Sequence, residues 1–159
     1  MLNRIRRLFD QPDRALDSLD RTDRIPLSAA CLLMEAARLD GHVSGEELSL
    51  IHALVQRHFR LTKEEADELV AAAHTVTDGP AQWHAFTSRL NDSMAYEEKV
   101  GLVEMLWEVA YADGRLNDLE SSLLRRMGGL LYVSDRDRGE AQRRVKARLG
   151  LPQGPAIPD

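Results

Sequence analysis

Apolar residues recur along this chain at the three- and four-residue spacing of helices, and seldom at the alternation of strands. Residues 27 to 39 are almost wholly apolar, which predicts a helix at the centre of a domain. Pro26 suits the first turn of that helix, and Asp40-Gly41 ends it, the glycine supplying the left-handed geometry common after a helix C-terminus. Ser44 with Glu47 three residues on has the pattern of a capping box. Leu48, Ile51, Leu54, Val55 and Phe59 follow at helical spacing. Thr62 and Glu65 form a second box and open a helix carrying Ala66, Leu69, Val70 and Ala73, which Asp78-Gly79-Pro80 breaks. Trp83, Phe86 and Leu90 mark a short helix over 81–91 that bridges two halves. A long helix from Met94 to Ala112 turns Val100, Val103, Leu106, Trp107 and Ala110 inward, and Asp113-Gly114 stops it. Asn117 and Glu120 open a helix bearing Leu123, Leu124, Met127 and Leu131. Ser134 and Asp137 open a last, basic helix ending near Gly150. The pattern predicts an all-α domain of about seven to eight helices.

The same sentence is written twice. Leu33, Glu35, Ala37, Asp40, Gly41, Glu47 and Leu50 meet Leu106, Glu108, Ala110, Asp113, Gly114, Glu120 and Leu123 at an offset of 73, the spacing from Asp40 to Asp113. Val43 meets Leu116, and Ser44 meets Asn117, its equivalent as a cap. One residue is then lost, and Leu61-Thr62 meets Val133-Ser134 at an offset of 72. The alignment, about 40 residues with one gap, predicts a duplicated three-helix unit with pseudo-twofold packing, repeat one over 27–77 and repeat two over 94–148.

Composition agrees with a soluble helical domain. Aromatics are only 5% of the 159 residues, and Ala, Leu, Glu and Arg, which favour helix, dominate. Cys31 is the one cysteine, so an intramolecular disulfide is excluded. Its apolar setting reads as a small buried hydrophobe in a reducing compartment. No run approaches the roughly 20 apolar residues that span a bilayer, and Asp10 and Pro12 cut short any secretory signal. The expected location is the cytoplasm. Residues 1–24 form an N-terminal basic amphipathic segment and linker, 25–150 the helical domain, and 151–159 a Pro-rich tail expected to be disordered. In the first segment Leu2, Ile5, Leu8 and Phe9 share a helical face beside Arg4, Arg6 and Arg7. That is the pattern of a short helix docked on its own domain, or of one lying on a membrane surface.

The net charge of −5 is unevenly spread. Asp92, Glu97, Glu98, Glu104, Glu108, Asp113, Asp118 and Glu120 crowd one region, against Lys99 and Arg115. The last helix reverses this with Arg136, Arg138, Arg143, Arg144, Lys146 and Arg148. An acidic middle argues against nucleic-acid binding there and suits a cation. The basic helix has no interleaved aromatics and reads as a solvated face.

The candidate chemistry lies in the two loops. Each repeat places Glu, then Asp five residues later, then Glu seven residues after that: Glu35, Asp40, Glu47 and Glu108, Asp113, Glu120. Carboxylates at a helix end and in the first turn of the next helix can converge on one point. Such an oxygen-rich site without thiolates would take a hard divalent cation, Ca²⁺ or Mg²⁺. It is not an EF-hand, because the alternating Asp/Asn ligands of that loop are missing. A structural reading stands beside this one. Glu47 and Glu120 serve capping boxes, Asp40 and Asp113 can bond their own loops, and Glu35 and Glu108 can pair with arginines. His42 is replaced by Arg115 in the second loop, and His52 and His58 do not share a helix face. Trp83, Trp107 and Tyr111 read as interhelix packing. No metalloprotease, phosphate-loop or nucleophile-elbow motif is present, and the expectation is a protein that is not an enzyme.

The paired segments EAARLDGHVSGEEL and EVAYADGRLNDLES, each opening a second helix, resemble the TerB-like family associated with tellurite resistance. The resemblance covers about residues 25 to 148. It implies an all-α fold of about seven helices with internal pseudo-symmetry and an acidic surface proposed to bind metal. It also implies a bacterial cytoplasmic role in stress or metal response, with protein partners that include membrane-associated ones. The matching positions are Asp40, Gly41 and Glu47 and Asp113, Gly114 and Glu120, with Glu35 and Glu108 just upstream. Arg115 and Leu119 stand where the first repeat has His42 and Glu46, which implies a weaker second metal site. Similar domains occur on membrane-anchored DnaJ-type co-chaperones, but no J-domain is present here.

Overall fold

The computed structural model describes residues 21–38, 43–77, 83–112 and 118–151. Among them are seven helices and no strand. They are α1 (Arg21–Ala37), α2 (Gly45–His58), α3 (Lys63–Val76), α4 (Trp83–Ser93), α5 (Tyr96–Ala110), α6 (Asp118–Leu130) and α7 (Asp135–Arg148). Residues 1–20 of the N-terminal segment, 152–159 of the Pro-rich tail and both Asp-Gly loops lie outside the described residues, while 21–24, expected as linker, are helical.

Helix α1 begins at Arg21, five residues before the start that Pro26 suggested. In the sixth position Pro26 forfeits the bond to the carbonyl of Thr22 and crowds that carbonyl with its ring, but it does so in the second turn, close to the end where the first N–H groups are unpartnered anyway. The rest of α1 behaves as its composition demands. Every residue from Leu27 to Ala37 is buried, so no face is left for water. It packs against α2, α3, α4 and α5, and α5 packs in turn on α1, α2, α6 and α7. The pair α1 and α5 is therefore the axle of the molecule. Phe86, Leu90, Leu102, Leu106, Met127 and Val145 carry the core from α4 through α7.

Capping sets where the outer helices start. Ser44 and Thr62 each accept a bond from the N–H of a glutamate three residues on, while that glutamate accepts from the cap's own N–H. Both boxes are formed as their spacing predicts. Ser134 caps α7 by accepting from Asp137 N. At α5 only half of the device exists. Glu98 accepts from Ala95 N at 3.0 Å, but alanine has no side-chain oxygen to return the bond.

The turns that follow α2 and α6 are alike. Leu61 N bonds Gln56 O and Val133 N bonds Gly128 O, the six-to-one bond of a Schellman turn. Arg60 and Tyr132 occupy its left-handed position, at φ 54° and 58°. This is local geometry shared at the offset of 72 found in the sequence. Helix α5 also runs parallel to α7, and Arg38, just past α1, donates to Thr77 O, just past α3. Tyr96 and Asp137 join the starts of α5 and α7, and Arg148 and Glu108 join their ends.

Candidate functional site

Two rows of opposite charge meet where α5 and α7 end. Glu104 and Glu108 lie one turn apart on α5, and Arg144 and Arg148 one turn apart on α7. Because the helices are parallel, the rows face each other. Arg148 donates to Glu104 at 2.9 Å and also to Glu108, and Arg144 donates to Glu104 at 3.3 Å. Burial works against the charge of Arg148, but the bonds to the two glutamates outweigh it and hold its pKa above the ordinary value. Arg57, at the end of α2, reaches Glu108 at 4.0 Å and is otherwise open, with its side chain 75% exposed.

Arg57, Glu104, Glu108 and Arg148 line one of two adjoining clefts, and Glu108 lines the other as well. The larger, about 490 Å³, is lined by Arg57, His58, Gly101, Glu104, Met105, Glu108, Arg148 and Leu149. The smaller, about 400 Å³, is lined by Glu46, Leu50, Glu108, Tyr111, Ala112, Leu149 and Leu151. Glu108 and Leu149 belong to both, so the clefts form one groove along α2 and α5. Leu149 is 46% exposed in the middle of it. The turn after α7 puts it there: Gly150 at φ 68° reverses the chain and sends Leu151 back against the core. His58 lies edge-on to Phe59 and beside Gly101, and this covering lowers its pKa from the ordinary 6.5. Glu98 opposes that shift and Arg57 adds to it.

The six carboxylates proposed from the sequence fall into different settings. Glu35 is buried on α1. Complete burial, with the Glu35 charge adding to it, pushes the Cys31 thiol far above its ordinary range and leaves an inert sulfur in the core. Glu47 serves the capping box of α2 through Oε1. Glu108 is clamped by Arg148. Asp40 and Asp113 lie outside the described residues, and of Glu120 only its place in the first turn of α6 is described. Among the described residues no three of His, Cys, Asp and Glu are grouped to hold a metal ion.

What sequence reasoning missed is the groove. Glu104 and Arg148 were visible as members of an acidic and a basic region. The signal that joins them is the pair of four-residue spacings, Glu104–Glu108 and Arg144–Arg148, which becomes legible once the two helices are known to be parallel.

The described residues form a helical domain with a central axle, a parallel pair of helices in α5 and α7, and an open charged groove. The comparison with known families is specific. The family model for tellurite resistance protein TerB matches residues 26–143. The chain belongs to the TerB family. No curated protein and no solved structure matches it. Among the described residues no helix is long and apolar enough to cross a membrane.

Proposed function

We propose that this TerB domain is a non-catalytic binding module that holds a protein partner in the groove between α2, α5 and the end of α7. One observation carries the reading: the half-exposed Leu149 stands between two open clefts whose charged walls are already fixed by Arg148. An apolar anchor in a preformed, polar-rimmed groove is what an amphipathic helix uses when it docks. The role is that of a partner-binding domain in a bacterial stress or metal response of the tellurite type. The test is a titration of the ¹⁵N-labelled chain with a helical peptide bearing leucines on one face and no net charge. Shift changes should cluster at Leu50, Gly101, Leu149 and Leu151 and vanish in Leu149→Asp. Changes scattered over the surface, or unaltered in the variant, would reject the groove.

A second reading keeps the divalent cation. Glu47 gives Oε1 to its cap, and Asp40 with Glu47 would supply the oxygens, with Asp113 and Glu120 as the counterpart. Ca²⁺ or Mg²⁺ suits such oxygens. Chelator-treated protein should then gain about 2.7 kcal/mol at a cation concentration 100 times the dissociation constant. Asp40→Ala/Asp113→Ala should abolish the gain. Equal thermal shifts in both proteins would place any bound cation elsewhere.

A further inference from the structure

We infer that the groove reads the polarity of its partner: it takes an amphipathic helix lying antiparallel to α2, acidic in its first turn and basic in its last. The inference rests on the groove reading above and adds the partner's chemistry. The groove follows α2, and the two ends of that helix differ in sign. Glu46 lines the groove at the start of α2 and is exposed, whereas Arg57 lines it near the end with its side chain 75% exposed. Eleven residues separate them, about 16 Å along a helix axis, or three turns of a docked helix.

The charges between those two are spent. Glu104 and Glu108 are bonded to Arg144 and Arg148, two charges against two, so they neither attract nor repel a ligand strongly. Among the described residues lining the groove, the exposed Glu46 and Arg57, the latter only at 4.0 Å from Glu108, are the charges that choose orientation. An acidic first turn set beside Arg57 and a basic last turn beside Glu46 satisfy both. The same placement also suits the partner helix itself, whose dipole favours acids at its start and bases at its end. Leucines at three- and four-residue spacing between the charged turns would cover Leu149 and Leu50.

Two peptides of fourteen residues test this on the full chain. One carries two glutamates in its first turn, two lysines in its last and leucines on one face between. The other has the same composition with the charged turns exchanged. Fluorescence anisotropy should show the first binding about tenfold more tightly at low salt, with the difference shrinking as salt rises. In the double variant Glu46→Lys/Arg57→Glu the preference should invert. Equal affinities for the two peptides, both lost in Leu149→Asp, would overturn the polarity and leave the groove standing. No binding of either peptide, nor of the uncharged leucine-faced one, would overturn both readings.

Discussion

At the scale of single residues, the places this sequence concealed are those where a side chain sits in a conformation it disfavours. Gly150 announces its left-handed turn by being glycine. Arg60 and Tyr132 make the same turn with no such signal. A residue with a Cβ costs roughly 1 kcal/mol more than glycine there. Arg60→Gly should therefore raise the unfolding free energy by about 1 kcal/mol, part of it returned to the freer unfolded chain. Urea denaturation at constant slope would show it, and a loss of stability would mean that Arg60 makes a contact worth more than its strain. Tyr132→Gly should gain less, because its ring lies 5.7 Å from the Lys99 ammonium, which is itself buried and donates to Asn91. By contrast, the fate of Cys31 was plain from its neighbours. A lone sulfur in an unbroken apolar run has nowhere to go but the core.

At the scale of elements, spacing carried most of the fold. The apolar periods and the Ser44–Glu47 and Thr62–Glu65 boxes placed α2 and α3, because a cap is a local device that tertiary packing need not assist. The start of α1 was misplaced for the complementary reason. The sequence reads Pro26 as a first turn, but Ile25 packs against the core and holds a further turn ahead of the proline. Helix α5 shows what a missing cap looks like. Ala95 has the extended geometry of a cap, φ −69° and ψ 159°, and is exposed. Glu98 already supplies its half of the box. Ala95→Ser should complete it and stabilise the domain by about 1 kcal/mol. Double-mutant analysis with Glu98→Ala checks the mechanism, since the gain should fall when the reciprocal bond is absent. A serine that adds nothing would show that the first turn of α5 is held by packing alone.

At the scale of the whole molecule, the candidate site was not legible, since it is assembled from three helices distant in sequence. Neither Glu104 nor Arg148 marks itself as part of a groove, and four-residue charge spacings are common on solvated faces. Their meaning comes from the parallel run of α5 and α7, a fact of packing. That run is fastened at both ends, and two groups beside it answer to acid differently. At the starts of the helices, Tyr96 donates to Asp137, and this bond holds the Asp137 carboxyl below its ordinary 3.8. A carboxyl lowered in the folded state adds stability that is fully present above its unfolded value and is lost as pH falls through the folded one. Beside Gly101, in the first half of α5, burial holds His58 below its ordinary 6.5. The unfolded chain then takes a proton first, so stability begins to fall as pH drops below 6.5, and the loss is complete once the folded value has been passed. Stability measured from pH 8 to pH 2 should accordingly decline in two windows. His58→Gln should flatten the upper window and leave the lower one. Tyr96→Phe should weaken the lower one alone, by removing the donor that keeps Asp137 ionised. A Tyr96→Phe curve parallel to the parent's throughout would mean that the hydroxyl contributes packing and no electrostatic bond. Loss of both windows in either variant would mean that His58 and Asp137 titrate as one coupled unit.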